Sequence, residues 1–367
     1  MIAGQMDVVH DDTAASMIDR ISNLPNEIIH HILSFLDLKY AIQTSALSKR
    51  WKHIWTLLPH LNLNSRYSRS SPKFVKFVND ALSHRNHGIE VSAVELSFKG
   101  SATQLDAVVT SIVNYAYSHN VSKLTMVWFR FNKEVYKFRQ RLFSCQTLKH
   151  LTLATNNLND SGPHVPKSAW DFPALETLNL SNILFGGDGY KSLNLFSKCV
   201  NLKDLTLHGS YMWNLDIFDV CAPQLSKLTI TDPQSLSKVF NVVAPKLESL
   251  TASVMDRFSN FLHLSIEDLD YLEKVNLSML QFLDVGKYAP GLLDLFQKLC
   301  RAKFLILDYG IIKVLSTCLD QFSDEPCPFN NLKCLKSTST VPIHVRNYFL
   351  GSSPSATFIM DFPQVLT

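Results

Sequence analysis

The sequence contains no long hydrophobic run and no recognisable targeting segment. Its first twenty residues include Asp7, Asp11, Asp12 and Asp19 and lack the continuous apolar stretch of a secretory signal. No stretch approaches the ~18 apolar residues that a membrane-spanning helix requires. The net charge of +3 is also too small to indicate a nucleic-acid binder. We therefore expect a chain of the cytosol or nucleus that binds neither membranes nor nucleic acids.

The seven cysteines include no CxxC pair, the spacing that many zinc and redox sites use. Their number is odd, and the chain is long enough to bury a core without crosslinks. We predict that they are reduced and mostly buried thiols. They are Cys145, Cys199, Cys221, Cys300, Cys318, Cys327 and Cys334.

Signatures of catalysis are also missing. The sequence has no GxSxG elbow, no GxxxxGK[ST] phosphate loop and no HExxH metal motif. Glu27 and His30 have the spacing of a di-iron ligand pair, but no second helix repeats it. His84 and His87 could clasp a metal, yet no cysteine or carboxylate pair accompanies them. We predict no catalytic residues, no cofactor and no metal site.

The first clear element is a helix in residues 24–37, LPNEIIHHILSFLD. Pro25 suits the first turn, and Glu27 follows where a carboxylate favours the helix dipole. A surface helix needs an apolar stripe of about 100°, whereas here apolar side chains fill roughly half of the circumference. The helix must therefore pack against a large core or against a second protein. The side chains of this arc are Leu24, Phe35, Ile28, Ile32, Leu36, Ile29 and Leu33.

A six-residue pattern, apolar-x-x-apolar-x-apolar, recurs along the rest of the chain. Clean copies are LKHLTL at 148–153, LETLNL at 175–180, LKDLTL at 202–207 and LSKLTI at 225–230. The steps between copies are close to the period of leucine-rich repeats, in which each copy is a short strand with alternate residues in the core. With looser copies included, the pattern starts at residues 58, 91, 121, 148, 175, 202, 225, 247, 272, 302 and 332.

Amphipathic segments predict helices between these strands, at 72–85, 104–120, 134–145 and 291–300. A strand and a helix repeated about eleven times form an α/β solenoid, because each unit buries its apolar face only against its neighbours. The alternative is a doubly wound sheet of separate strands. Ahead of the repeats, residues 20–59 indicate three helices. The second covers about 38–47, and the third starts at Ser48 with Trp51, Ile54, Trp55 and Leu58 at helical spacing.

Residues 24–51 carry a specific motif. The pattern LP-x-E-x-x-x-x-I-L-S-F-L at 24–36, followed by ALSKRW at 46–51, resembles the F-box. Its continuation into repeats is similar to the large plant family of F-box proteins with leucine-rich repeats. Many members carry a further C-terminal domain called FBD, and this sequence resembles the branch without it.

The resemblance implies an α/β architecture, an N-terminal three-helix F-box followed by a curved leucine-rich-repeat solenoid of about eleven strand–helix units. The expected divisions are a disordered N-terminus at 1–18, the F-box at 19–60, the solenoid at 58–340 and a C-terminal cap at 341–367.

The resemblance also implies a function. The F-box helices of that family dock on the Skp-type adaptor of a cullin–RING ubiquitin ligase (the Skp–cullin–F-box, or SCF, type), and the repeats bind a protein for ubiquitination. The chain would then be a non-catalytic receptor subunit, with part of the wide apolar face meeting the adaptor. The expected adaptor-binding residues are Leu24, Pro25, Ile28, Ile32, Leu33, Leu36 and Trp51. The sequence leaves open which of them belong only to the internal core, and which residues bind the substrate.

Two other functions stay open on the sequence alone. One is an interaction scaffold whose F-box binds no adaptor, and the other is a receptor with a small ligand in the solenoid. The stretch 123–141 has six basic residues, one acid and interleaved aromatics, a composition that also suits single-stranded nucleic acid. We prefer a basic surface for an acidic protein. Residues 256–273 are acidic instead, so the solenoid carries opposite charge early and late.

Overall fold

The computed structural model describes residues 24–68, 70–86, 88–129, 136–156, 163–187, 191–234, 239–254, 264–266, 269–279, 289–319 and 326–360. The predicted disordered segment 1–18 lies outside these residues. Seven α-helices are described: α1 (Asn26–Ser34), α2 (Leu38–Gln43), α3 (Ser71–Ser83), α4 (Ala102–Ser118), α5 (Ala289–Lys298), α6 (Tyr309–Cys318) and α7 (Ile343–Ser352).

The strands are short, and most of them coincide with the six-residue pattern. They are β1 (His60–Asn64), β2 (Ala93–Lys99), β3 (Lys123–Phe129), β4 (His150–Thr155), β5 (Thr177–Ser181), β6 (Leu184–Gly186), β7 (Ser192–Asn194), β8 (Asp204–His208), β9 (Tyr211–Trp213), β10 (Ile217–Cys221), β11 (Lys227–Thr231), β12 (Val239–Val243), β13 (Ser249–Val254), β14 (Leu264–Ile266), β15 (Lys274–Met279), β16 (Phe304–Leu307), β17 (Cys334–Ser337) and β18 (Thr357–Met360).

Twelve of these strands form one parallel sheet in the order β1-β2-β3-β4-β5-β8-β11-β13-β15-β16-β17-β18. All eleven predicted strands are present, and the sequence pattern missed only the last, β18. The pairing keeps the pattern in phase, so that Leu151 lies opposite Leu124 on one side and Leu178 on the other. The alternate residues that point inward are buried along the sheet. The predicted F-box region and α/β repeat architecture are therefore confirmed.

The connections between the strands are of two kinds. Helices α3 to α6 follow β1, β2, β15 and β16, where consecutive copies of the pattern start at least 30 residues apart. Between β5 and β15 the copies are 22 to 27 residues apart, and the described return segments are the strands β7, β10, β12 and β14 of a second parallel sheet. A strand advances about 3.3 Å per residue and a helix about 1.5 Å, so a shorter repeat can return only in extended form.

One predicted helix is wrong. The helix expected at 134–145 falls partly outside the described residues, and the rest contains only a 3₁₀ turn at Gln140–Phe143. The backbone here bonds to the next repeat instead of to itself. The amide of Phe138 donates to the carbonyl of His164 over 2.9 Å, and the amide of His164 donates to the carbonyl of Tyr136 over 2.9 Å. Apolar spacing alone could not show this pairing.

The third F-box helix also differs from the prediction. Residues 47–53 form turns, and only Ile54–Leu57 is helical, as a 3₁₀ segment. Trp51, Ile54 and Leu58 are nevertheless buried, as their spacing predicted. Because a 3₁₀ helix places residues i and i+3 on one side, a buried spacing of three does not require an α-helix.

Arg85 joins the F-box region to the first repeats. It lies just after α3 and is buried, and its guanidinium donates to three oxygens: the carbonyl of Trp55 over 3.1 Å, the carbonyl of Leu58 over 2.5 Å and the hydroxyl of Tyr115 on α4 over 3.0 Å. Burial lowers the pKa of the Arg85 guanidinium from its usual value. The carbonyls at the end of the 3₁₀ segment therefore share a buried cation with the repeat helices.

We expect Arg85→Met to lower the free energy of unfolding by about 2–4 kcal/mol, because methionine leaves two carbonyls and a hydroxyl without their donor. The exposed Lys76 on α3 provides the control, since Lys76→Met removes a positive charge without removing a buried bond. Urea titration followed by circular dichroism measures both. Equal effects of the two substitutions would contradict the assigned role of Arg85.

Candidate functional site

Helix α1 is set in place by its two ends. The carbonyl of Pro25 accepts from the amides of Ile28 and Ile29, both over 3.1 Å, and so begins the helix. After its last residue, Asp37 is buried and caps α2 by accepting from the amide of Lys39 over 2.9 Å. Burial raises the pKa of the Asp37 carboxyl even with this bond. The turn between α1 and α2 is therefore fixed by a group inside the fold.

The wide apolar arc of α1 is divided into two halves. Ile29 and Leu33 are 0% and 1% exposed and belong to the same buried cluster as the strands of the solenoid. Ile28, Ile32 and Phe35 are 45%, 41% and 73% exposed. At about 100° per residue, the exposed three lie within about 60° of one another, beside the buried half. We call these three residues the α1 patch.

The predicted adaptor-binding residues fall into three groups. Pro25, Ile28 and Ile32 are exposed, and Leu24 and Leu36 are half-buried against the core. Leu33 and Trp51 lie inside the core, at 1% and 3% exposure, so they support α1 and offer no surface to a partner in this conformation.

Three exposed residues of the same region were not in the predicted set. They are Phe35, Tyr40 and Leu47. Phe35 could have been found, because the helical projection places it next to Ile28. Tyr40 and Leu47 lie beyond α1, where no periodic signal indicates the direction of the side chain.

Polar contacts border the α1 patch without covering it. The guanidinium of Arg50 donates to the side-chain oxygen of Asn26 over 2.7 Å, which ties the turn after α2 to the first turn of α1. The ring of His31 meets that of Phe35 edge-on, with 4.9 Å between centroids. An exposed group of large apolar side chains with a polar border is typical of a protein interaction site.

The outward residues of the main sheet form a second candidate surface. At the central outward position, the register aligns uncharged polar side chains across seven consecutive strands. They are Thr125, Thr152, Asn179, Thr206, Thr229, Thr251 and Asn276. Beyond this row the same position holds Ile306, Lys336 and Ile359. The face therefore changes from neutral polar to apolar and basic toward β18.

Ion pairs between adjacent repeats line the edge of the sheet where the strands begin. The ammonium of Lys203 lies 2.9 Å from the carboxylate of Glu176, and that of Lys303 lies 2.6 Å from Glu273. Hydrogen bonds from these lysines, followed by their charge, lower the pKa of both glutamates. Such exposed pairs contribute little stability, and they leave this edge with closely mixed charge.

The basic stretch 123–141 is not one continuous surface. The ammonium of Lys123 lies 3.5 Å from the carboxylate of Glu95, and Arg139 is paired with Asp106. Trp128 and Phe138 are buried and meet edge-on, with 5.2 Å between centroids. These rings are therefore not available to stack on nucleic-acid bases.

Within the described ranges, no three histidine, cysteine or acidic side chains cluster as a metal site would need. Among the helices that the structure describes, none combines the length and the hydrophobicity of a membrane span.

Comparison with known proteins now adds to the geometry. The model of the F-box domain matches residues 21–62, which include α1, α2 and the 3₁₀ segment. An F-box/LRR-repeat protein of Arabidopsis thaliana is 31% identical over 215 residues, which are 58% of this chain and 67% of the relative. An FBD-associated F-box protein of the same plant is 28% identical over 349 residues, 94% of this chain and 77% of the relative.

The molecule is thus an α/β repeat protein with an N-terminal F-box. It belongs to the family of F-box proteins with leucine-rich repeats. The match reaches only about half the length of some relatives, such as an Arabidopsis thaliana F-box/FBD/LRR-repeat protein that is 31% identical over 49% of its length. Members of this family are generally non-catalytic, and an F-box in general implies binding to a Skp-type adaptor.

The division of α1 predicts opposite results at adjacent residues. Leu33→Ala should lower the free energy of unfolding by about 2–5 kcal/mol, because it opens a cavity in the core. Ile32→Ala should change it by less than about 1 kcal/mol, since that side chain is largely in water. Urea unfolding of both variants measures the difference. A larger loss for Ile32→Ala than for Leu33→Ala would show that the two faces are exchanged.

Proposed function

We propose that this protein is the substrate-recognition subunit of an SCF-type cullin–RING ubiquitin ligase, acting in the cytosol, the nucleus or both. The observation that carries the proposal is the α1 patch, because it lies within the residues that match the F-box domain. A Skp-type adaptor would cover the patch and remove its three large apolar side chains from water.

The adaptor contact is assigned to the exposed half of the arc. Ile28, Ile32 and Phe35 form its centre, and Leu24, Pro25 and Leu36 lie beside them. Leu33 and Trp51 act from below, since they hold α1 against the first strand. Burial of one large apolar side chain is worth about 1.5–3 kcal/mol, so three of them can supply much of the affinity of a specific interface.

The mechanism is tethering. The chain performs no bond chemistry and would hold a protein substrate near the ubiquitin-charged enzyme, which raises the effective concentration of the attacking lysine. Substrate contacts are assigned to the outward side chains of the sheet and the loops beyond them. The neutral row from Thr125 to Asn276 supports this, because a protein can lie on it without burying unpaired charges.

Substitution in the α1 patch tests the adaptor contact. Ile32→Asp should weaken co-purification with a Skp-type adaptor by more than about tenfold, because a carboxylate would be buried without a partner. Val243→Asp is the matched control, since Val243 is an equally exposed aliphatic residue on β12 of the second sheet. Circular dichroism and thermal melting establish that both variants are folded.

Normal adaptor binding by folded Ile32→Asp, together with normal binding by Phe35→Asp, would contradict the assigned face. Failure of the unsubstituted chain to bind any Skp-type adaptor would instead favour a scaffold outside the ligase. Affinity purification with mass spectrometry under proteasome inhibition then identifies adaptor and substrate together.

A further inference from the structure

Three segments from successive repeats meet beyond the carboxyl ends of β3, β4 and β5. Lys137 pairs with His164, and His164 pairs with Leu184, in one short parallel ladder. A cavity of about 410 Å³ lies at this ladder and reaches Lys167 and Gly187. Nothing in the adaptor or sheet surfaces described above uses it.

The charged and titratable groups of this cavity are all basic. Lys137 is exposed, and His164 and Lys167 are half-buried. No aspartate or glutamate lines the cavity in the part of the chain that the structure covers. Burial lowers the pKa of the His164 imidazole, and the charges of Lys137 and Lys167 lower it further. The imidazole therefore lies in a positive field that no described carboxylate offsets.

The floor of the cavity includes two glycines. Gly186 and Gly187 have φ angles of 88° and 117°, which side chains rarely adopt. A Cβ atom at Gly187 would lie 3.5 Å from the ammonium nitrogen of Lys167. Glycine therefore lets the ammonium lie over the backbone, and consecutive residues with positive φ present concave backbone that suits an anion.

The walls are apolar next to this charge. Val165 and Pro166 line the same cavity between His164 and Lys167. The space is many times the ~30 Å³ that one water occupies, so it admits an anionic group together with the chain that carries it. A free inorganic ion would leave the apolar wall uncovered.

We propose that this cavity binds a phosphate monoester borne by a protein, a phosphorylated side chain of the bound partner. A phosphate monoester carries about −1.5 to −2 charges at neutral pH, which matches two ammonium groups, whereas a carboxylate carries only one. The phosphate accepts from Lys137, Lys167 and His164, and the side chain that bears it lies on Val165 and Pro166. The proposal rests on the proposed function only in taking that phosphoprotein to be the substrate.

The test uses the full chain without adaptor and a degenerate phosphoserine peptide library, with the unphosphorylated library as its twin. We expect retention of the phosphorylated library only, and at least about tenfold weaker binding by the Lys137→Gln/Lys167→Gln variant. The control is Lys203→Gln/Lys227→Gln, which removes the same charge from the opposite edge of the sheet. Equal retention of both libraries, or equal loss in both double variants, overturns the proposal.

His164 supplies a second readout that loss of folding would not imitate. Bound phosphate offsets the two lysines, so O-phosphoserine should raise the pKa of the His164 imidazole, measured by NMR titration with His164→Gln to assign the signal. Thermal stabilisation by inorganic phosphate with no retention of phosphopeptides would assign the cavity to a free anion and overturn the protein ligand. Because no adaptor is present, a failure here is distinct from a failure of the ligase assignment.

Discussion

In-register parallel pairing of the strands is the constraint on which the rest of this structure depends. Each inward leucine has neighbours only in the adjacent strands, so every strand must keep the same phase. The two ends of the sheet must then be handled separately. At the first end, α1 and α2 pack against β1, whose Leu61 and Leu63 are fully buried. At the other end β18 pairs on one side only, and its Ile359 stays exposed.

The F-box region therefore has two roles that compete for one helix. The half of α1 that carries Ile29 and Leu33 closes the solenoid, and the half that carries Ile28 and Ile32 is left for a partner. Arg85 reinforces this closure, because its three bonds join the 3₁₀ segment to α4. A single core thus continues from the F-box into the repeats. For a tethering function this matters, since effective concentration depends on how firmly the two binding surfaces are held relative to each other.

Much of the fold was accessible from the sequence because it repeats. The strands were found from Leu148, Leu151 and Leu153 and their copies, as one short pattern is weak but eleven in phase are not. The return segments were predicted less well, because the helical period was sought everywhere. The interval between copies carries that information. Where the next copy starts within 27 residues, as from Leu175 to Leu202, the chain has no room for an α-helix and a turn at each end.

The sites were less predictable, since they depend on contacts between repeats. The apolar arc of α1 was evident, yet whether Ile32 or Leu33 is buried depends on the side from which β1 approaches. Likewise the basic residues of 123–141 are neighbours in sequence but separate in space. Lys123 faces Glu95, Arg139 faces Asp106, and Lys137 joins His164 and Lys167 from the next repeat. A solenoid assembles its sites across repeats, so residues about one repeat apart are better candidates for one site than residues in a continuous charged run.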